Sequence, residues 1–233
     1  TKEKIGFGYP GQRPKVSFLD PTNTYSVSKF QTASGTADIL SHVIEVYFNL
    51  NSDLYMLDTV MEGLMKTVIK YGPIAIAEPD NYDARANLMW ASSWAINDFI
   101  RGGKQQAWSC HPMEHQLSAY YDIAHGLGLA ILTPRWMKYV LDETTVGKFY
   151  TYGTEVFDID KSLEPMEVAK LAIAKTEDFL FNQLKLDSTL TAIDIDRTYF
   201  EEMVAKTVGS TGVLKGFKHL TKEDVIAIYE MCL

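Results

Sequence analysis

Cysteine is nearly missing from this chain. It has two among 233 residues, Cys110 and Cys232, too few and too far apart for a disulfide framework or a zinc-ribbon spacing. That scarcity fits a reducing, cytoplasmic setting. An excess of positive charge is missing as well. The 22 Lys and Arg against 30 Asp and Glu leave a formal net charge of -8. With no long basic run, the sequence offers no face for nucleic acid or an anionic membrane. No stretch approaches the roughly 20 apolar residues of a membrane span, and the start does not read as a signal peptide. Repeats, heptads and low-complexity segments are absent. The chain opens on Thr1 in mid-pattern, as a processed or engineered fragment would.

What is present describes a globular protein. With 46% hydrophobic and 22% charged residues, the chain can bury one good core, so a single domain is the default. The first twenty residues are rich in Gly and Pro and hold one strand candidate, 15–19. Beyond about Gly35 the pattern turns helical. Ile39, Leu40, Val43, Ile44 and Tyr47 stripe a helix over 36–48. Helices over 54–71 and 82–100 follow, separated by the breakers Pro73 and Pro79, and Gly102-Gly103 stops the second. Residues 108–141 read as helical with an interruption at 122–128, where the backbone can turn at Gly126-Leu127-Gly128. Pro134 suits the first turn of a further helix. Segments 144–157, 166–184, 197–208 and 222–232 are amphipathic helices, several preceded by Ser or Thr caps. Trp90, Trp94 and Trp108 read as core.

Two glycine clusters are set aside. Gly6, Gly8 and Gly11 spell G-x-G-x-x-G, but that fingerprint works only where a strand turns directly into a helix. Here five residues precede it and Pro10 follows within it, so a flexible loop is expected. Residues 209–216 read as a plain inter-helix loop.

The histidines carry the chemical signal. His219 stands apart and reads as a surface residue. Asp38 and His42 lie four apart, nearly one helical turn, so their side chains project together, with Glu45 extending the stripe. Alone, that stripe reads as a solvated face. The block HPMEHQLSAYYDIAH adds His111 and His115, again four apart, and then His125. A divalent metal needs imidazoles or carboxylates converging at about 2.0–2.2 Å. Two helical pairs and a histidine from a turn could supply them, and a set of hydrogen-bonded core histidines fits the spacing equally.

Together these blocks resemble the iron-containing alcohol dehydrogenase family, particularly its butanol dehydrogenase-like branch. The resemblance runs through FLDPTNTYSV, TADILSHVIEVY, HPMEHQLSAYYDIAHGLGLAILTPRWMKYV and LKGFKHLTKEDVIAIYEMCL, nearly the whole chain. It implies an all-α fold: the helical, metal-binding C-terminal domain, dehydroquinate synthase-like, over 36–233, with a short extended lead-in over 1–35. It implies Asp38, His42, His111 and His125 as metal ligands. His115 is then an extra active-site histidine, a proton relay or an orienter of a ligand, and Lys4 a cofactor-contacting lysine. The implied cofactors are Fe²⁺, with Zn²⁺ as a substitute, and NADP(H) or NAD(H), the branch leaning to NADPH.

By the same resemblance the substrate is a small alcohol or aldehyde. The metal polarises the substrate oxygen while hydride passes between carbon and nicotinamide. A homodimer through the helical domain is a further implication. Family members carry an N-terminal Rossmann-like domain that binds the pyrophosphate, and no part of this chain reads as one, so the 233 residues are expected to be inactive alone. A smaller departure is Ser28-Lys29, where the family often has proline. The alternatives are a metal-dependent hydrolase or lyase, which lacks a clear H-E-x-x-H base although Glu114 precedes His115, and a non-catalytic helical binding module.

Overall fold

The structure, a computed structural model, describes residues 2–49, 54–102 and 108–233. Helix dominates it, as the patterning implies. Nine α-helices are present among the described residues: α1 Lys29–Tyr47, α2 Tyr55–Ala77, α3 Tyr82–Ile96, α4 Cys110–Tyr121, α5 His125–Val140, α6 Val146–Val156, α7 Pro165–Glu177, α8 Phe200–Val208 and α9 Lys222–Met231. The sheet is a single antiparallel ladder of β1 (Val213–Leu214) with β2 (Leu220–Thr221), pairing Val213 with Thr221 and Leu214 with Leu220. That ladder lies partly in the segment expected to be plain loop, and it closes the turn ahead of α9.

α1 is the central element, packed on α2, α3 and α5; α4 lies against α5 and α8. Around its C-terminal end, Phe48 meets Phe149 at 4.7 Å and Trp136 at 5.9 Å between ring centroids. The second of these is edge-to-face, a favourable arrangement for ring quadrupoles. Trp136 and Phe48 are each 1% exposed, so this aromatic cluster pins the end of α1 to α5 and α6.

Four expectations need correction. Residues 15–19 form no strand: Val16 is 70% and Phe18 94% exposed, and an isolated strand without a paired neighbour is unstable in water. α1 begins at Lys29 rather than near Thr36, because Ser28 Oγ accepts from Gln31 N and caps it there. The departure at Ser28-Lys29 thus supplies a helix start. Both prolines expected to break or begin helices lie inside them, Pro73 in α2 and Pro134 in α5. Each removes one backbone donor, but buried neighbours on both sides hold the helix through the defect. The interruption after α4 is also shorter than expected. Asp122 takes a left-handed conformation (φ 54°) that ends α4, and α5 starts at His125, so Gly126 and Gly128 are helical. What the glycines permit is close packing. A Cβ on Gly126 would stand 1.9 Å from the Ser34 carbonyl oxygen, and one on Gly128 2.7 Å from Glu114 Cγ.

The glycine trio at 6, 8 and 11 lies in exposed irregular chain that reaches one 3-10 turn, Pro10–Gln12. Neither a strand before it nor a helix directly after it is present among the described residues. His219 is exposed. Gly102 is left-handed (φ 51°) after the 3-10 turn Phe99–Arg101; Gly103 lies outside the described residues. Among the described residues, no helix is long and apolar enough to cross a membrane.

Candidate metal centre

α1 brings Asp38 and His42 side by side, with His42 Nε2 3.4 Å from Asp38 Oδ1. α4 delivers His111 from its first turn. Its Nε2 lies 3.2 Å from His42 Nε2 and 3.9 Å from Asp38 Oδ1. Ligands about 2.1 Å from one ion in a tetrahedron sit roughly 3.4 Å apart. The three separations bracket that value. The stripe expected to be a solvated face is therefore turned inward, where the start of α4 covers it.

One buried atom sharpens the fit. Asp38 Oδ1 has no hydrogen-bond partner among the described residues. A buried carboxylate oxygen left bare is costly, and a cation among Asp38, His42 and His111 would satisfy it. Burial, then the neighbouring His111 and His125, hold His42 down at about 3, so the ring is neutral and able to ligate. Burial also raises Asp38, against the pull of His125 and His111, as befits a carboxylate awaiting a positive charge. The donor set, one carboxylate with imidazoles, suits Fe²⁺ or Zn²⁺.

His125 and His115 lie one ring further on. His125 is 5.2 Å from His111 and 5.4 Å from His115 between centroids. Glu114, His115 and His125 form a second group of potential ligands. His125 Nδ1 contacts Glu114 Oε2, which is fully buried. Burial alone would raise Glu114, but the bond to His125 and its charge, then Ser118 and Lys4, hold it low. Lys4 Nζ reaches this group from the lead-in, 3.3 Å from Glu114 Oε2 and 3.0 Å from His125 Nδ1. Burial and the Lys4 ammonium bring His115 down to about 4. It is an uncharged ring at neutral pH rather than one titrating there.

Two glutamates have buried partners that the sequence reading, which noted Glu45 only in the polar stripe and Glu114 only beside His115, did not give them. Glu45 is buried against the start of α4, and Glu114 against His125. The available signal was an acid set among apolar residues, Ile44 and Val46 for Glu45. Trp108 packs against the core as expected and also walls the site: its ring stands 5.3 Å from His42 and 4.6 Å from His111.

These depressed values predict a pH dependence for the metal-free chain. An unfolded His takes a proton below its usual 6.5, while native His42 refuses it until about 3. Stability is thus complete above about pH 6.5 and falls as the pH drops toward 3, by at most about 1.4 kcal/mol per pH unit for one proton. His115 acts in the same sense down to about 4, and the raised Asp38 offsets part of the loss at the acid end. The urea midpoint should drop between pH 7 and pH 5, less steeply in His115→Gln. A flat midpoint over that range would contradict the buried, neutral state of these rings.

An all-α domain with histidines and an aspartate converging between two helices defines the class. The chain belongs to the iron-containing alcohol dehydrogenase family: the profile described as "Fe-containing alcohol dehydrogenase family, C-terminal" matches residues 32–233. It is 49% identical over 231 residues to NADH-dependent butanol dehydrogenase A of Clostridium acetobutylicum, covering 99% of this chain and 59% of that protein. It is 33% identical over 206 residues to the NADPH-dependent aldehyde reductase YqhD of Escherichia coli, 88% of this chain and 52% of that one. The crystal structure of NADH-dependent butanol dehydrogenase A from Thermotoga maritima superposes with a TM-score of 0.90 at 33% identity, over 99% of this chain and 59% of that chain. The chain therefore spans little more than half the length of these relatives.

Proposed function

We propose that this chain is the metal-binding part of a nicotinamide-linked alcohol dehydrogenase or aldehyde reductase acting on a small primary alcohol or its aldehyde. The observation that supports it best is the Asp38–His42–His111 cluster with tetrahedral spacing and a bare buried carboxylate oxygen. His125 is the fourth ligand in this reading. Residues 1–35 form the lead-in from a cofactor-binding domain, and 36–233 the metal-binding domain. A divalent metal, when bound, supplies Lewis acidity to the substrate oxygen.

The chain's own groups do the rest. Trp108 excludes water from one side of His42 and His111. A cavity of about 470 Å³ opens against Lys4, Ser118, Asp122 and His125, on the side of His125 where the cofactor would approach in this reading. The Lys4 ammonium orients the cofactor there, and the neutral His115 ring accepts or relays the hydroxyl proton. The relatives point to either coenzyme: the two at 49% and 48% identity are named for NADH, the one at 33% for NADPH.

A hydrolase or lyase that uses Glu114, the acid beside His115, as its general base is disfavoured. That carboxylate is committed to His125, Ser118 and Lys4. The test is butanal-dependent oxidation of NADH and NADPH by a longer protein that joins this chain to its cofactor-binding region. Metal-dependent turnover there, and none from the 233 residues alone, is expected. Robust turnover by the 233 residues, or chelator-insensitive turnover by the longer protein, would overturn the reading.

A further inference from the structure

Glu45 lies one turn beyond His42 on α1, and its side chain is 2% exposed. A carboxylate buried that deeply is costly unless its lone pairs are filled. They are filled. Oε1 accepts from the backbone N–H of Ser109 and of Cys110, each at 2.5 Å; Oε2 accepts from His111 N at 3.0 Å and from His111 Nδ1. The three amides open α4, where no intrahelical acceptor exists for them. Ser109 gives no side-chain cap there, so a side chain from another helix does the capping. The negative charge is also favoured at a helix N-terminus.

The fourth contact has a chemical consequence. An ionised carboxylate only accepts hydrogen bonds, so the hydrogen of a neutral His111 ring must sit on Nδ1. Nε2 is then left with its lone pair, and Nε2 is the atom that faces His42 and Asp38. Were the hydrogen on Nε2 instead, the ring would present a donor to the metal position.

We propose that Glu45 is the positioning residue of the metal centre. It locks the start of α4 onto α1 and holds His111 as the Nδ1–H tautomer with Nε2 free to ligate. The inference rests on the reading of Asp38, His42 and His111 as ligands. It goes beyond that reading because it makes metal affinity depend on a residue that touches no metal. Outer partners of ligating histidines fix tautomer and orientation in this way.

Two measurements test it. In the metal-free chain at pH 8, long-range ¹H–¹⁵N correlation of the imidazoles reads each tautomer, with His111 assigned from its loss in His111→Gln. The Nδ1–H form is expected; the Nε2–H form overturns the proposal without recourse to metal or activity. In the second, Zn²⁺ affinity is measured by competition with a chromophoric chelator. Glu45→Gln keeps the shape, but half of its terminal group is an amide that donates, so affinity should fall about 10- to 100-fold. The visible band of the Co²⁺-loaded variant should change as well.

Circular dichroism melting separates this from a merely structural role. A lower melting temperature with Zn²⁺ affinity and Co²⁺ spectrum unchanged overturns the proposal. If Glu45→Gln does not fold, the tautomer in the unaltered chain decides. Failure of the unaltered chain to bind Zn²⁺ sinks the metal reading and this proposal together, whereas unaltered binding by Glu45→Gln sinks the proposal alone.

Discussion

Asp38→Ala/His42→Ala should strip the chain of metal, whereas His115→Ala should leave it loaded. Two of the three clustered ligand atoms belong to Asp38 and His42, one helical turn apart on α1. Removing both leaves His111 with no partner from that helix. The loss should exceed about a hundredfold in affinity, the upper end of what removing an outer hydrogen-bond partner alone costs. Metal per chain by mass spectrometry, on protein purified without oxygen or chelator, reads the effect directly. Near-stoichiometric iron or zinc that disappears in the double variant supports the site. Equal metal in variant and parent would place it elsewhere. Single replacements of His115 and His125 then decide the fourth ligand, since both rings stand near His111, at 6.2 Å and 5.2 Å. If His115→Ala loses metal and His125→Ala keeps it, their assigned roles are exchanged.

How far this was legible in the sequence depends on the range of each interaction. The helices were, because apolar periodicity is local, and so were the i, i+4 pairs of Asp38 with His42 and of His111 with His115. The helix ends were less so. A start at Lys29 turns on one capping bond from Ser28, and continuation through Pro134 on packing that no local signal reports. The inward turn of the Asp38–His42–Glu45 stripe was hidden for the same reason. A polar stripe on an exposed helix and one facing another helix's N-terminus are the same letters. Spacing left His111 as one candidate partner of that stripe, and the family resemblance chose between that and a set of core histidines. Glu45 was read only as part of the polar stripe, because its partners are backbone amides of residues 109–111, which carry no identity in a sequence. His115 shows the reverse error. Its type suggests titration near neutrality, but burial and the Lys4 ammonium remove it.

The largest effect on folding should come from a single methyl group at Gly126. Placed on that residue, a Cβ would lie 1.9 Å from the carbonyl oxygen of Ser34 and 2.6 Å from its carbon. Both are backbone atoms within α1, so no side chain can swing away. α5 would have to retreat from α1, the helix pair that carries His125 on one side and Asp38 and His42 on the other. Overpacking of this kind costs about 3 kcal/mol, which for a chain of this size lowers the melting temperature by roughly 6–12 °C. Gly63→Ala is the matched control. Gly63 is also helical, in α2, but a Cβ there meets nothing within 4 Å. The same substitution should therefore stabilise by about 0.5–1 kcal/mol through the lost flexibility of glycine. Opposite signs for one chemical change would isolate the α1–α5 contact as the cause. Metal affinity should fall with Gly126→Ala and hold with Gly63→Ala, because only the first displaces His125 from Asp38 and His42, the proposed ligands on α1. A Gly126→Ala chain that melts with the parent would mean that the two helices stand further apart than this packing requires, and the convergence of His125 on the site would lose its support.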